Sequence, residues 1–107
     1  MEVFLRLALE TTIAIKSSTA TFLIAETGAL YTCGYNYSGQ LGLGDRSHRS
    51  TLQKVPLAES VKTVVAGDTS TFVLTVNGSL YVCGDNNFGQ LGLGDEVIRS
   101  IFTPVTH

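Results

Sequence analysis

The heptapeptide Gly-Gln-Leu-Gly-Leu-Gly-Asp occurs twice in the chain, at residues 39–45 and again at residues 89–95. The similarity extends beyond the heptapeptide, because residues 21–45 align with residues 71–95 at a constant offset of 50 and share fifteen of 25 positions. Self-similarity at a period of roughly 20–50 residues is typical of solenoids and propellers, in which each repeat buries its faces against its neighbours. We therefore expect stacked copies of one supersecondary unit.

The repeated unit has the pattern of antiparallel β-strands. Short segments rich in β-branched and aromatic residues are bounded by turn residues, and no segment has helical periodicity. Gly28 and Gly78 lie where a tight hairpin requires a positive φ. Pro56 and Pro104 confine the last segment of each repeat to a sheet edge or a strand end. The predicted strands cover residues 11–16, 20–25, 30–33 and 52–55, and then 61–66, 70–76, 80–83 and 102–105.

A glycine-rich loop after a strand raises the possibility of phosphate binding, and Gly34 and Gly39 even have the spacing of a P-loop. The chemistry does not fit. Gln40 and Leu41 stand where a P-loop has its lysine and its magnesium-binding hydroxyl, and no helix is predicted to follow. The order of the glycines is also the reverse of a dinucleotide fingerprint. The sequence therefore argues against a nucleotide site in this loop.

A structural corner explains the heptapeptide better. Its glycines permit backbone conformations barred to other residues, while Leu41 and Leu43 are expected to turn into the core. Asn36 and Asp45 are predicted to hydrogen-bond their own backbone two positions on, and the Gln40 amide to serve buried main-chain groups. The residues assigned to this structural motif are Gly34, Asn36, Gly39, Gln40, Gly42, Gly44 and Asp45, with Gly84, Asn86, Gly89, Gln90, Gly92, Gly94 and Asp95 in the second copy.

The pattern Gly-x-Leu-Tyr-x-Cys-Gly-x-Asn-x-x-Gly-Gln-Leu-Gly-Leu-Gly-Asp resembles the signature of the RCC1 (regulator of chromosome condensation) repeat family. The resemblance implies an all-β propeller of seven four-stranded blades, used as a nucleotide exchanger on a small GTPase, a chromatin-binding module or a protein-interaction domain. Seven repeats would need about 350 residues, so two blades of an incomplete propeller are expected here. We divide the chain into an atypical N-terminal strand region (1–18), a first repeat (19–57) and a second repeat (58–107). Further blades of the same type, in cis or in trans, are then expected partners.

Composition narrows the classes of partner. Hydrophobic residues make up 44% of the chain and charged residues 15%, which is a core-forming composition. The net charge of −2 makes nucleic acid an unexpected partner, and no apolar run is long enough for a membrane helix. Cys33 and Cys83 form no C-x-x-C motif and, in adjacent sheets, are expected to be free, small buried hydrophobes. We expect an intracellular protein, cytoplasmic or nuclear.

Positions that match between the repeats are required by the scaffold. By this criterion Phe22, Phe72, Tyr31 and Tyr81 are predicted to be core residues. Arg49 and Arg99 also match, four residues after Asp45 and Asp95, and are predicted to form loop salt bridges or to donate to the backbone.

Positions that differ between the repeats are the candidates for specificity, and they lie in the loops. Aromatic and arginine side chains are frequent interface anchors, whereas variable loop residues can also be merely solvated. The candidate partner-binding residues are Tyr35, Tyr37, Arg46, His48, Asp85, Phe88 and Glu96, with Tyr35, Tyr37 and Arg46 preferred and His48 expected to be a solvated loop residue.

The sequence contains no recognisable catalytic set, so no catalytic residue, metal or cofactor is predicted. The primary hypothesis is a non-enzymatic protein-interaction module that forms part of a larger propeller. The alternative, implied by the resemblance, is a contribution to guanine-nucleotide exchange on a small GTPase, active only in a complete propeller.

Overall fold

The computed structural model describes residues 11–106, which form two four-stranded antiparallel sheets with the strands in sequential order. The all-β fold predicted from the repeat is confirmed. Blade 1 contains β1 Thr11–Lys16, β2 Ala20–Ala25, β3 Leu30–Gly34 and β4 Arg49–Lys54, and blade 2 contains β5 Val61–Ala66, β6 Ser70–Thr75, β7 Leu80–Gly84 and β8 Arg99–Pro104.

Part of the N-terminal region predicted for residues 1–18 lies outside the described residues, which begin at residue 11. The described part includes β1, which pairs with β2 as an integral strand of blade 1. Between residues 11 and 106 there is no helix with the length and apolar character that crossing a membrane would require.

The two predicted hairpin turns are present, and their glycines adopt the required conformation. Gly28 and Gly78 both have φ of +90°. Their N–H groups donate to Ala25 O at 2.9 Å and to Thr75 O at 3.1 Å. A residue with a Cβ atom is strained at such angles, which explains the glycine in each turn.

The predicted starts of β4 and β8 are wrong by three residues. The sequence placed these strands at residues 52–55 and 102–105, whereas β4 begins at Arg49 and β8 begins at Arg99. Each arginine pairs with the last glycine of the preceding strand across a bulge, and the early part of β4 is polar and largely exposed. An edge strand of this kind carries no apolar alternation, so its beginning is not visible in the hydrophobic pattern.

The main hydrophobic core lies between the two blades. Ala20, Phe22 and Ile24 alternate along β2 and belong to one buried cluster with residues of β5 and β6, so the pleat of the strand places one row of side chains in the core. The buried members of this core are Ala20, Phe22, Ile24, Leu30, Leu41, Val55, Val61, Val64, Val73, Cys83 and Phe102.

The outer face of blade 2 lacks the cover that blade 1 receives. Phe22 is 1% exposed beneath blade 2, whereas Phe72, its counterpart, is only half-buried. Leu74 and Leu80 are likewise half-buried. The prediction that all four matched aromatic residues are core residues is therefore correct for Phe22 and wrong for Phe72. It is also wrong for Tyr31, which is half-buried, whereas Tyr81 is half-buried but packs against the core.

The first heptapeptide fills the corner between the blades. Gln40 is 1% exposed, and its Nε2 donates to Asp68 O of blade 2 at 3.1 Å while its Oε1 accepts from Ser38 N at 3.0 Å. The main-chain oxygen of Gln40 accepts from the Thr71 hydroxyl at 2.8 Å. These contacts agree with the predicted role of the Gln40 amide. The heptapeptide is a corner whose polar groups hydrogen-bond to the neighbouring blade.

Replacement of Gln40 by alanine is expected to lower the free energy of unfolding by about 2 kcal/mol, because the buried Ser38 N loses its acceptor and Asp68 O loses one of its two donors. The matched control is Gln90→Ala, since Gln90 is the same residue in the second copy but is exposed. Urea denaturation at low protein concentration measures both. Equal destabilisation by the two substitutions would contradict this role of Gln40.

Candidate partner-binding surface

The loops between β3 and β4 and between β7 and β8 carry all the candidate partner-binding residues, and one buried asparagine organises each loop. Asn86 is fully buried, and its Nδ2 donates to Asp95 O at 3.1 Å and to Val97 O at 3.0 Å. Its Oδ1 accepts from Leu91 N at 3.0 Å. Asn36 makes the same set of bonds in blade 1. The predicted bond from Asn36 to its own backbone two residues on is therefore wrong, because the asparagine spans the whole loop.

An ion pair closes the base of each loop, as predicted for the matched arginines. Arg49 Nη2 lies 2.8 Å from Asp45 Oδ2, and Arg99 Nη2 lies 2.9 Å from Asp95 Oδ2. Asp45 also accepts from Ser47 N, two residues on, as predicted. The hydrogen bond from the neighbouring guanidinium lowers the pKa of each aspartate, with a smaller contribution from the backbone amide.

Four of the candidate residues lie together in blade 1 and form a cluster that we call the aromatic-cationic patch: Tyr35, Tyr37, Arg46 and His48. The Tyr35 and His48 rings stack with centroids 4.5 Å apart, and the Tyr35 and Tyr37 rings lie 6.2 Å apart. The Arg46 guanidinium carbon is 5.1 Å from the centroid of the Tyr37 ring, and Arg46 Nε donates to Tyr37 O at 2.6 Å. Tyr37 is nevertheless 61% exposed.

His48 is exposed, but its ring is held in place on both sides. Its Nδ1 accepts the N–H of Asn36 at 2.9 Å, and its ring stacks on Tyr35. The sequence predicted only a solvated loop histidine. In the structure, the imidazole also connects the aromatic-cationic patch to Asn36, the buried asparagine that organises the loop.

The equivalent loop of blade 2 presents different chemistry. Phe88 is 89% exposed, and Asp85 and Glu96 stand where blade 1 has Tyr35 and Arg46. Asp85 Oδ1 accepts from Asn87 N at 3.1 Å. The candidate residues therefore lie on two separate loops, of which the loop of blade 1 carries aromatic and cationic groups and the loop of blade 2 carries carboxylates and one exposed phenylalanine.

The two cysteines are free, as expected, but they differ in environment. Cys83 is completely buried beneath the first heptapeptide, and this burial raises the pKa of its thiol well above the usual range. Cys33 is only half-buried, with its pKa raised by a partial desolvation. The prediction of two buried cysteines is wrong for Cys33.

The sequence pattern did not identify the residues of blade 2 that hydrogen-bond to the first heptapeptide. Thr71 and Asp68 bind the main chain and side chain of Gln40, although neither was a candidate. Glu59 was missed too; it accepts a hydrogen bond from the Tyr81 hydroxyl, which lowers the pKa of Glu59 and raises that of Tyr81. For Thr71, the available signal was its match with Thr21 in the repeat alignment.

The comparisons with known proteins agree with the repeat architecture. The family model of the regulator of chromosome condensation (RCC1) repeat matches residues 27–74 and 77–107, and a second RCC1 repeat model matches residues 61–90. The chain belongs to the RCC1 repeat family. A search of curated proteins found no match.

Three solved structures are similar in fold to this RCC1-repeat chain. Human WBSCR16 aligns with a TM-score of 0.81 at 19% identity over 90% of this chain. Yeast RCC1 (Prp20) bound to Kap60 aligns with a TM-score of 0.80 at 20% identity over 91%. Prp20p from Saccharomyces cerevisiae, described with its binding properties to Gsp1p and histones, aligns with a TM-score of 0.74 at 17% identity over 92%. The chain spans about a quarter of the length of these structures, at 25%, 25% and 27% respectively.

The buried asparagine of each loop gives a test of the scaffold. Asn86→Ala is expected to lower the free energy of unfolding by about 3 kcal/mol, because Leu91 N and two carbonyl groups lose their partner. Asn87→Ala, at the adjacent exposed position, is expected to change it by less than about 0.5 kcal/mol. Thermal or urea unfolding followed by circular dichroism measures the difference, and a stable Asn86→Ala protein would contradict the role assigned to this residue.

The ion pairs give a test of pH dependence. The folded-state pKa of Asp45 and Asp95 is lowered, so each pair stabilises the fold above an unfolded pKa of about 3.9, and this contribution is lost as pH falls through the lowered value. Arg49→Gln is expected to raise the pKa of Asp45 towards its usual value. NMR titration of the carboxyl groups measures this, with Asp95 in the same protein as the internal control that stays unchanged.

Proposed function

We propose that the chain is a non-enzymatic protein-interaction module, and that the aromatic-cationic patch on blade 1 is its main contact surface. The exposed, pre-ordered set of Tyr35, Tyr37, Arg46 and His48 is the observation that carries this proposal. Tyrosine and arginine supply large contact area together with hydrogen-bond donors, and they are enriched among residues that dominate binding energy.

The geometry of the patch supports a binding role over that of a disordered loop. Tyr35 is stacked on His48, which is held by Asn36 N–H, and Arg46 is held by Tyr37 O. Side chains that are already ordered lose less conformational entropy when a partner binds. The patch thus exposes anchors whose position is set by the buried scaffold of the loop.

The structural relatives support macromolecular partners. Yeast Prp20 has been solved bound to Kap60, and Prp20p has been characterised with Gsp1p and histones. For this chain, with a net charge of −2, we propose a protein partner and an intracellular location, cytoplasmic or nuclear. The loop of blade 2 with Asp85, Phe88 and Glu96 is a secondary candidate for contact in the same module.

The second candidate function is participation in guanine-nucleotide exchange on a small GTPase, as one part of a complete propeller. Membership of the RCC1 repeat family favours it. Stopped-flow release of a fluorescent guanine nucleotide from a small GTPase tests the non-enzymatic proposal. Acceleration by this chain alone would contradict both that proposal and the requirement for a complete propeller.

The proposed surface is tested by quantitative affinity capture with the full chain as bait. The double variant Tyr37→Ser/Arg46→Gln is expected to lose at least about tenfold in retention of the proteins captured by the unmodified chain, which corresponds to about 1.4 kcal/mol. Lys62→Gln, which removes one exposed cation from a strand of blade 2, is the matched control and is expected to leave retention unchanged. Identical capture by all three proteins would contradict the role of the patch.

A further inference from the structure

The aromatic-cationic patch presents hydrogen-bond donors that the chain itself does not use. Arg46 spends only its Nε–H, in the bond to Tyr37 O, and its Nη1 and Nη2 groups meet no acceptor among residues 11–106. The hydroxyl groups of Tyr35 and Tyr37 likewise have no hydrogen-bond partner in the described part of the chain. A guanidinium group has donors and no acceptor. The free polar groups of the patch are therefore suited to a ligand that accepts hydrogen bonds.

The hydrogen bond from Asn36 fixes the tautomer of His48. Nδ1 accepts the N–H of Asn36 at 2.9 Å, so in the neutral ring this nitrogen carries no proton and the proton lies on Nε2. His48 is exposed, and its Nε2–H is bonded to no other described residue. The imidazole therefore adds another free donor beside Tyr35, on which it is stacked.

Arg46 gives the patch an unpaired positive charge. Among the arginines of residues 11–106, Arg49 and Arg99 form ion pairs with Asp45 and Asp95, whereas Arg46 has no carboxylate within ion-pair distance. The adjacent Asp45 is already occupied, because both of its carboxylate oxygens accept from Arg49. The patch is thus locally cationic on a chain whose net charge is −2.

The scaffold of the loop does not require this chemistry, as the loop of blade 2 shows. At the offset of 50 residues, two carboxylates and an isoleucine replace Tyr35, Arg46 and His48. The buried Asn86 nevertheless makes the same set of bonds as Asn36. Neither the imidazole nor the guanidinium is needed to build the loop, so their ordered arrangement in blade 1 is available for a ligand.

The surroundings of the patch favour a ligand with one anionic group over a polyanion. Aromatic and arginine side chains also bind single-stranded nucleic acids, but such sites combine them with a positively charged groove that follows the backbone. Arg46 is the single unpaired cation of its loop, and the matching loop of blade 2 carries Asp85 and Glu96. A peptide with one oxyanion next to an apolar side chain matches this surface better than a row of phosphates.

We propose that the aromatic-cationic patch binds a peptide segment of the partner through one oxyanion, either the carboxylate of an acidic side chain or a phosphate ester. The Nη1 and Nη2 groups of Arg46 donate a pair of parallel hydrogen bonds to this group. His48 Nε2–H donates to a main-chain carbonyl group of the peptide, and the exposed ring of Tyr37 contacts its apolar side chain. This inference rests on the proposed function and adds the chemistry of the ligand.

Peptide selection on the full chain tests this chemistry without assuming a partner. A phage-displayed library of random peptides is selected on the unmodified chain and, in parallel, on Arg46→Glu. Blade 2 carries glutamate at the matching position in a folded loop, so the substitution is compatible with the scaffold. The unmodified chain is expected to enrich peptides with an acidic residue beside an apolar one, and Arg46→Glu is expected not to. A selection that enriches no acidic sequence on the unmodified chain would overturn the proposal.

Fluorescence anisotropy with the most enriched peptide separates the two sources of the oxyanion. The peptide is synthesised with glutamate, phosphoserine or glutamine at the acidic position. The glutamine form is expected to bind at least about tenfold more weakly than the tighter oxyanion form, because it lacks the charge-assisted hydrogen bonds to Arg46. Arg46→Glu is expected to produce a similar loss, and the matched control Lys62→Glu, at an exposed position of β5, is expected to produce none. Equal binding of the glutamate and glutamine forms would contradict the proposal.

Nitrogen-15 NMR of the imidazole gives a readout that a general loss of folding does not imitate. At a pH where the ring is neutral, His48 is expected to carry its proton on Nε2, and this signal is expected to shift when the oxyanion peptide binds. A proton on Nδ1 would overturn the donor arrangement, as would tighter binding of a single-stranded oligonucleotide than of the peptide.

Failure of this inference is distinguishable from failure of the proposed function. If the Tyr37→Ser/Arg46→Gln variant loses captured proteins but the selected peptides carry no acidic residue, the ligand chemistry is wrong and the contact surface stands. If capture is unchanged by the variant, the contact surface itself is wrong and this inference falls with it.

Discussion

The close contact between the first heptapeptide and the neighbouring sheet is the constraint on which the rest of the structure depends. Glycine at positions 39 and 42 removes the Cβ atoms that would collide with Ser100 and Phe102. The main chain can therefore approach near enough for Gln40 to bond to Asp68 and Thr71. This satisfies polar groups that the packing of two sheets removes from water.

The same corner links the fold to the candidate binding surface. Leu41 is buried below the corner, and Leu41 N donates to Asn36 Oδ1. Asn36 in turn binds the carbonyl groups of Asp45 and Ser47, and its N–H donates to His48. The variable residues lie on a loop whose backbone is held by the core. The exposed side chains can therefore differ between the blades while the scaffold stays the same.

Blade 1 and blade 2 show how one sequence motif acquires two environments. Gln40 and Gln90 lie in identical heptapeptides, but one is buried by a neighbouring sheet and the other is exposed. Cys33 and Cys83 show the same contrast, since Cys33 is half-buried and Cys83 is buried. The difference arises from position in the stack, because each repeat buries its faces only against the sheets beside it.

The sequence alone determined the period, the all-β unit, the hairpin turns at Gly28 and Gly78, and the role of the heptapeptide as a corner, because each depends on local periodicity and backbone freedom. Only the tertiary structure decided the starts of β4 and β8, the half-burial of Phe72, and the stacking of Tyr35 on His48. These features depend on which groups from distant parts of the chain meet, and on which sheet face is covered. A local sequence pattern does not contain that information, because the two copies of a repeat are alike in sequence and differ in their neighbours.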